Sequence, residues 1–316
     1  MPRRASRRSS SGGPLVSLIA LMLFAAAAGW WLLRPQPHPA AHYGTHVGFR
    51  TLAPSAEPPA PAETPVATPR ETPEATQLPS EAPAASPTST PAENAQGPEL
   101  ALIVDDCGQW IATERGFVAL DIPLTLSVLP DVPYTGVIAG EASDAGKGVM
   151  LHLPMETLSG LNPGPGKVTT EMSDAQIVAQ VQSDLADVPL ARGVNNHEGS
   201  KASADPRVMR AVIGVLAEHN LFFIDSKTNA ASVGEETARQ MGVPTAARDV
   251  FLDNRADVAY SEAQLSQAAA IAQRTGSAIA IGHPRPTTLA AVRAMIPKLQ
   301  ALGIRFVLVQ DLASKN

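Results

Sequence analysis

Beyond residue 98 the chain alternates short apolar runs with longer stretches in which apolar residues recur every three or four positions. The runs are ALIVDD (101–106), PLTLSVLP (123–130), KGVMLHLPME (147–156), ARGVNNHEGS (191–200), LFFIDS (221–226), RDVFLDN (248–254), SAIAIGHP (277–284) and IRFVLVQ (304–310). Short, largely continuous and rich in β-branched residues, they read as strands buried on both faces. Helical spacing fills residues 110–120, 134–145, 174–188, 261–275 and 288–302. Asp205–Pro206 opens a further helix with Val208, Met209, Val212, Val215 and Leu216 as its apolar set. Ser173 is placed to cap one helix and Gly276 to end another. Repeated strand-then-helix units predict a parallel sheet clothed in helices. Seven or eight strands favour a closed or nearly closed barrel over a doubly wound sheet.

The first 98 residues follow another pattern. Arg3, Arg4, Arg7 and Arg8 precede the uncharged run Pro14–Leu33, and Trp30, Trp31 and Arg34 mark its far end. Its 20 residues match the roughly 20 that a helix needs to cross a hydrocarbon core. The expectation is a cytoplasmic basic tail (1–13) and a transmembrane signal-anchor (14–34) that sends the rest of the chain outward. A cleavable signal peptide is the alternative, since Ala25–Ala28 offers small residues for cleavage, and the product would then be secreted. Either way the C-terminal domain is expected outside the cytoplasm, at the inner membrane in a single-pass arrangement if the anchor is retained.

Residues 35–98 hold fifteen of the 29 prolines among Ala, Thr, Ser and Glu. Such a segment gathers too little apolar contact to offset its ordering entropy and reads as a disordered, locally stiff linker. His38, His42 and His46 are spaced four apart, but the prolines at 35, 37 and 39 argue against a helix that would gather them. Residues 99–316 are then one domain. The net charge of −6 and the lack of a basic patch in that domain argue against nucleic acid as a partner. Cys107 is the single cysteine and cannot form an internal disulfide; beside the aspartates it reads as a small packing residue, with a soft metal ligand as the alternative.

Polar residues collect where the predicted strands end. Asp105 and Asp106 end the first, His152 and Glu156 leave the third, and Asn195, Asn196 and His197 leave the next. Asp225 ends LFFID, Asp253 ends VFLD and His283 ends AIAIGH. In parallel α/β folds these ends share one face, where functional groups sit. Each residue alone has an ordinary structural explanation, as a helix cap or a loop hydrogen bond. Together, carboxylates and imidazoles on one face form a donor set suited to a divalent cation. Adjacent aspartates allow one to bind the ion and the other to accept a proton.

In this order ALIVDDCG, PLTLSVLP, VMLHLPME, GVNNHEGS, LFFIDSKT, RDVFLDN and AIAIGHP resemble the divergent polysaccharide deacetylase family, over residues 99–316. That family is related to the NodB-homology carbohydrate esterases. The resemblance implies a distorted (β/α) barrel of about seven parallel strands and a divalent metal, zinc by expectation. It also implies removal of acetyl groups from N-acetylated sugars of an envelope polysaccharide or a peptidoglycan-like glycan. By the same resemblance Asp105 is the general base, Asp106 and His152 are metal ligands, and His283 is the general acid toward the leaving amine. Glu156 stands where the related enzymes carry a second histidine, which makes His197 the expected second imidazole ligand. Asp225 would orient His283 or touch the metal, Asn195 and Asn196 would bind sugar hydroxyls, and Asp253 is a further site residue. The departure at Glu156 supports an alternative: a catalytically weakened module of the same fold that binds glycan or a protein partner.

Overall fold

The computed structural model of the protein describes residues 97–313. The expected tail and anchor, all but the end of the expected linker, and the three linker histidines lie outside the described residues. Among the described residues no helix is long and apolar enough to cross a membrane.

Among the described residues nine strands and eight α-helices alternate, except that the sixth strand leads directly into the seventh. The strands are β1 (Glu99–Cys107), β2 (Thr125–Val128), β3 (Gly148–Met155), β4 (Gly193–Glu198), β5 (Phe222–Asp225), β6 (Thr245–Ala247), β7 (Val250–Phe251), β8 (Ser277–Gly282) and β9 (Arg305–Val307). The helices are α1 (Ile111–Val118), α2 (Thr135–Asp144), α3 (Asp174–Asp187), α4 (Pro206–Glu218), α5 (Gly234–Gln240), α6 (Val258–Thr275), α7 (Pro286–Ala301) and α8 (Val309–Ala313). Local chemistry sets several of their ends. Ser173 accepts from the Gln176 amide while the Gln176 side chain returns to the Ser173 amide, a reciprocal cap for α3. Asp205 caps α4 ahead of Pro206. Asp257 caps α6 and starts it three residues earlier than the apolar spacing predicts, and Gly276, at φ 94°, stops it.

The sheet runs β6-β5-β4-β3-β2-β1-β8-β7, with β9 beside the first half of β1. Every strand pair is parallel. The result is an α/β half-barrel of eight strands along one path plus a ninth at its side, where the apolar runs predict seven or eight strands in a closed or nearly closed barrel and the resemblance about seven. The end strands β6 and β7 are consecutive in the chain, separated by Arg248 and Asp249. The Arg248 amide donates to Asp225 at the end of β5, and the Asp249 amide to Ile279 in β8. Two linking residues span at most about 11 Å between flanking Cα atoms, so the two edges of the sheet must curl toward each other. Of the strand expected over 248–254 only Val250–Phe251 forms, as β7, and β6, just before it in the chain and not expected, serves the opposite edge. The last expected strand, 304–310, pairs only through Val307 and then turns into α8.

Alternation divides the core. Ala101 and Ile103 of β1, Met150, Phe222, Ile224, Ala246, Ile279, Ile281 and Val307 pack together with α8 residues Val309, Leu312 and Ala313, which fill the inside of the curl. Leu100, Leu102 and Val104 face the other way, into the larger core shared with the seven longer helices. Burying each large side chain contributes roughly 1.5–3 kcal/mol. One buried group works against this. The Asp184 carboxylate of α3 lies under Gly166, where an added Cβ would sit 2.5 Å from it. One oxygen accepts from Gln180 and the other has no partner. Burial, with Asp187 and Asp131 nearby, pushes its pKa up to about 7.

Between the unfolded carboxyl pKa of about 3.8 and about 7 the folded state therefore binds more protons than the unfolded state, and stability falls as pH rises through that window. Asp184→Asn removes the ionisation. The variant is expected to gain at least ~1 kcal/mol over wild type at pH 8 and little or nothing at pH 4, measured by urea unfolding at the two pH values.

Candidate metal centre

Strand alternation decides which side chains reach the inner mouth of the sheet. From the inward set on β1, β3 and β8 the series continue to Asp105, His152 and His283, and β4 contributes Asn195 and His197. By that rule Asp106, next to Asp105, belongs on the opposite face. It is brought back by a β-bulge. Val104 pairs with Leu126 and Cys107 with Val128, so β1 spends one residue more than β2 across the interval, and Asp106 takes φ 56°. Both aspartates then address one site. Cys107 turns into the outer core, its thiol 3.2 Å from the Val104 carbonyl.

Asp106, His152 and His197 offer one ligand atom each within a small triangle. His197 Nδ1 lies 2.9 Å from Asp106 Oδ1 and 3.1 Å from His152 Nε2, which is itself 3.3 Å from Asp106 Oδ1. Donors about 2.0–2.1 Å from a common ion stand roughly 3.0–3.4 Å apart in tetrahedral or octahedral arrangement, so the triangle has the dimensions of one coordination face. Asp106 Oδ1 is buried yet has no hydrogen bond of acceptable geometry, despite two ring nitrogens within reach. Lone pairs converging without a proton on line are what a cation satisfies. His152 is buried while Asp106 and His197 are partly exposed, so the face opens to solvent on one side.

A buried relay fixes the orientation. Asn195 Nδ2 donates to Asp105 Oδ1 (2.9 Å) and to Ser226 Oγ (3.2 Å), while Asn195 Oδ1 faces His152 Nδ1 (2.8 Å) and accepts from the Ser127 hydroxyl. A carboxylate oxygen only accepts, so the Asn195 nitrogen must face Asp105 and its oxygen must face His152. The Nδ1 of His152 therefore carries a proton, and Nε2 is the atom left for the triangle. Asp253 does the same for His283. It accepts from His283 Nδ1 at 2.9 Å, from the His283 amide and from Thr288. His283 Nε2 is then free, 3.7 Å from Asp106 Oδ2.

The charges are strongly coupled. Burial opposes ionisation of Asp106, but His152 and His197 outweigh it and hold its carboxyl well below the usual range. Burial raises the pKa of Asp105 against the opposing pull of His152, His283 and Asn195. For His152 and His283 burial favours the neutral ring, yet neighbouring carboxylates raise both. The cluster draws positive charge inward.

Other residues singled out in the sequence do different work. Asp225 points outward from β5. It accepts from the Lys227 and Glu235 amides and the Ser232 hydroxyl, and so braces the loop before α5; the partner of His283 is Asp253. Asn195 and Asn196 are buried and spent internally: Asn196 joins the Ser226 amide, the Glu198 carbonyl and Thr228. Neither amide is available to a sugar. Burial raises the Glu156 pKa, but hydrogen bonds from Lys201 and Thr170 together outweigh it and bring it down to about 2. Glu156 ties the loop after β3 to the segment after β4 and is not in the triangle.

Ser127, Ser226, Thr288 and Arg248 were missed in the sequence. Arg248 donates to the Ser226 and Lys227 carbonyls and stacks over Phe251. Burial lowers its pKa, opposed by the charges of Asp105, Asp225 and Asp249. Ser127 and Ser226 carry no signal beyond their two-residue spacing from inward strand positions, and Thr288 lies in the first turn of α7.

Fold and site together define a parallel α/β half-barrel with an aspartate–histidine metal-type centre at the carboxyl ends of its strands. The chain belongs to the divergent polysaccharide deacetylase family, whose model matches residues 102–313. It is 35% identical over 201 residues to an uncharacterized protein of Haemophilus influenzae, covering 64% of this chain and 72% of that one. Identity is again 35% over 201 residues with the uncharacterized protein YibQ of Escherichia coli, covering 64% of this chain and 63% of that one. Among solved structures, the uncharacterized protein ATU2773 of Agrobacterium tumefaciens shares the fold with TM-score 0.66 and 23% identity, over 70% of this chain and 92% of that one.

Replacing Asn195 tests the relay. Asn195→Ala strands the buried Ser127 hydroxyl, His152 Nδ1 and Asp105 Oδ1. It is expected to cost about 3 kcal/mol or more in urea unfolding and to weaken zinc binding roughly 10–100-fold in a competition titration.

Proposed function

We propose that the protein is a metal-dependent deacetylase that hydrolyses the acetamido group of N-acetylated envelope polysaccharide outside the cytoplasm. The observation that carries this reading is the solvent-open triangle of Asp106, His152 and His197, flanked by a buried carboxylate on one side and an oriented imidazole on the other. The donor set of two imidazoles and one carboxylate suits zinc. A divalent cation held there would supply Lewis acidity toward the acetyl carbonyl.

The remaining chemistry belongs to this chain. Asp105 Oδ2 stands 3.6 Å from His152 Nε2, beside the triangle, and is not itself one of its members. Burial makes its carboxylate more basic than an exposed one, which suits the acceptor of a proton from the attacking water. His283 has Nδ1 committed to Asp253, so only Nε2 faces the site, and its raised pKa favours the protonated ring. It is the donor to the departing amine. The products are acetate and a free amino sugar. Family membership supports the polysaccharide substrate, and the arginine-flanked apolar run at the N-terminus supports the location outside the cytoplasm.

The test uses the purified full chain in detergent, assayed for bound metal and for acetate release from N-acetylglucosamine oligomers. Wild type is expected to hold one divalent ion and to release acetate. Asp105→Asn is expected to keep the ion and lose about 10²–10⁴-fold in rate. Wild-type protein that neither holds metal nor releases acetate under any divalent-ion condition overturns the reading. Bound metal without acetate release assigns the site to binding rather than this chemistry.

A further inference from the structure

The bulge that turns Asp106 inward is followed at once by a sharp turn through Gly108, Gln109 and Trp110. Gly108 has φ 108°, a conformation open to glycine, and an added Cβ would lie 2.7 Å from Val132. The carbonyls of the turn are held by backbone, since the Leu129 amide donates to Cys107 and the Tyr134 amide to Gly108. Its amides are held by one side chain. Glu114, in the first turn of α1, is fully buried, and its Oε1 accepts from the Gly108 (3.0 Å), Gln109 (3.0 Å) and Trp110 (2.6 Å) amides. Three successive N–H groups converging on one carboxylate oxygen make an anion nest filled from within the chain. Its other oxygen is buried without a hydrogen-bond partner among the described residues.

We propose that Glu114 is a positioning residue for the metal centre, holding the turn after the bulge so that Asp106 keeps its left-handed backbone and its carboxylate stays in the triangle. The inference rests on the metal-binding reading of that triangle. A helix-start cap alone would add stability and leave the metal site indifferent. Glu114 differs because the amides it gathers begin two residues after the aspartate ligand, and among the described residues no other acceptor binds them.

The experiment compares full-length wild type, Glu114→Met and Glu114→Gln after chelation, with zinc as the titrated probe and amide hydrogen exchange read at Gly108, Gln109 and Trp110. Methionine preserves length and removes the acceptor; glutamine keeps one acceptor oxygen. In Glu114→Met, exchange at the three amides is expected to rise at least tenfold and zinc affinity to fall at least tenfold, while amides of β3 and β4 keep their protection. Glu114→Gln is expected to restore most of both. Released amides with wild-type zinc affinity overturn the proposal, and so does unchanged exchange. If Glu114→Met does not fold, the decision passes to wild type and Glu114→Gln: unprotected turn amides in wild type overturn the proposal, and protected amides with zinc affinity that follows their exchange in Glu114→Gln support it. Wild type that binds no zinc overturns the metal-binding reading and this proposal with it, whereas zinc-binding wild type with an indifferent Glu114→Met overturns the proposal alone.

Discussion

A strand presents successive side chains to opposite faces, and that rule is the constraint around which this molecule is built. A centre that needs two neighbouring acidic groups on one side of a sheet cannot be made from a regular strand. The single extra residue in β1 resolves the conflict. It leaves Asp105 on the inward series begun by Ala101 and Ile103 and swings Asp106 round to join it. The left-handed backbone at Asp106 costs on the order of 1 kcal/mol or more, offset by the ladder to β8 below and the hydrogen-bonded turn above. Glu198 at the end of β4 and Lys227, two residues beyond β5, are also left-handed, so left-handed backbone recurs along the rim of the half-barrel.

The second layer of control is a neutral amide. Asn195 connects a carboxylate, an imidazole and two hydroxyls without adding charge of its own. Each of its polar atoms has a fixed role because Asp105 can only accept. The tautomer of His152 is therefore inherited from a residue two strands away. Asp253 exerts comparable control over His283, but with a full charge and from the strand that meets β8 at its edge. The two histidines are thus oriented by different partners: His152, a buried corner of the triangle, by a neutral amide, and His283 by a carboxylate.

Much of this was legible in the residues. The alternation of strands and helices, the parallel sheet and the gathering of polar groups at one end follow from apolar spacing alone. Asp106, His152 and His197 lie close together, as the family resemblance implies. What escaped was mostly a matter of parity. Counting twos along LFFIDS puts Asp225 on the same face as Phe223, away from the mouth, and counting along GVNNHE separates Asn196 from Asn195 and His197. Asp106 breaks the same count, so the rule that would have corrected Asp225 would have misplaced it. Register against a neighbouring strand carries that information, and one sequence does not print it. β6 was missed for a related reason: the expected strand began at Arg248, and only the change of partner from β5 to β8 marks Thr245–Ala247 and Val250–Phe251 as separate strands.

The sheet's edges meet through Arg248 and Asp249, and its first strand lies between two of its last. Glu99 of β1 pairs with Ser277 on one side and Arg305 on the other. Such pairings join residues far apart in sequence, and the chain entropy of bringing them together must be met before any contact rewards it. Assembly of this domain is consequently a late event: the strand that carries both aspartates waits, with one edge unpartnered, until the C-terminal segments have been made. Refolding should accordingly be slow and prone to association through that waiting edge.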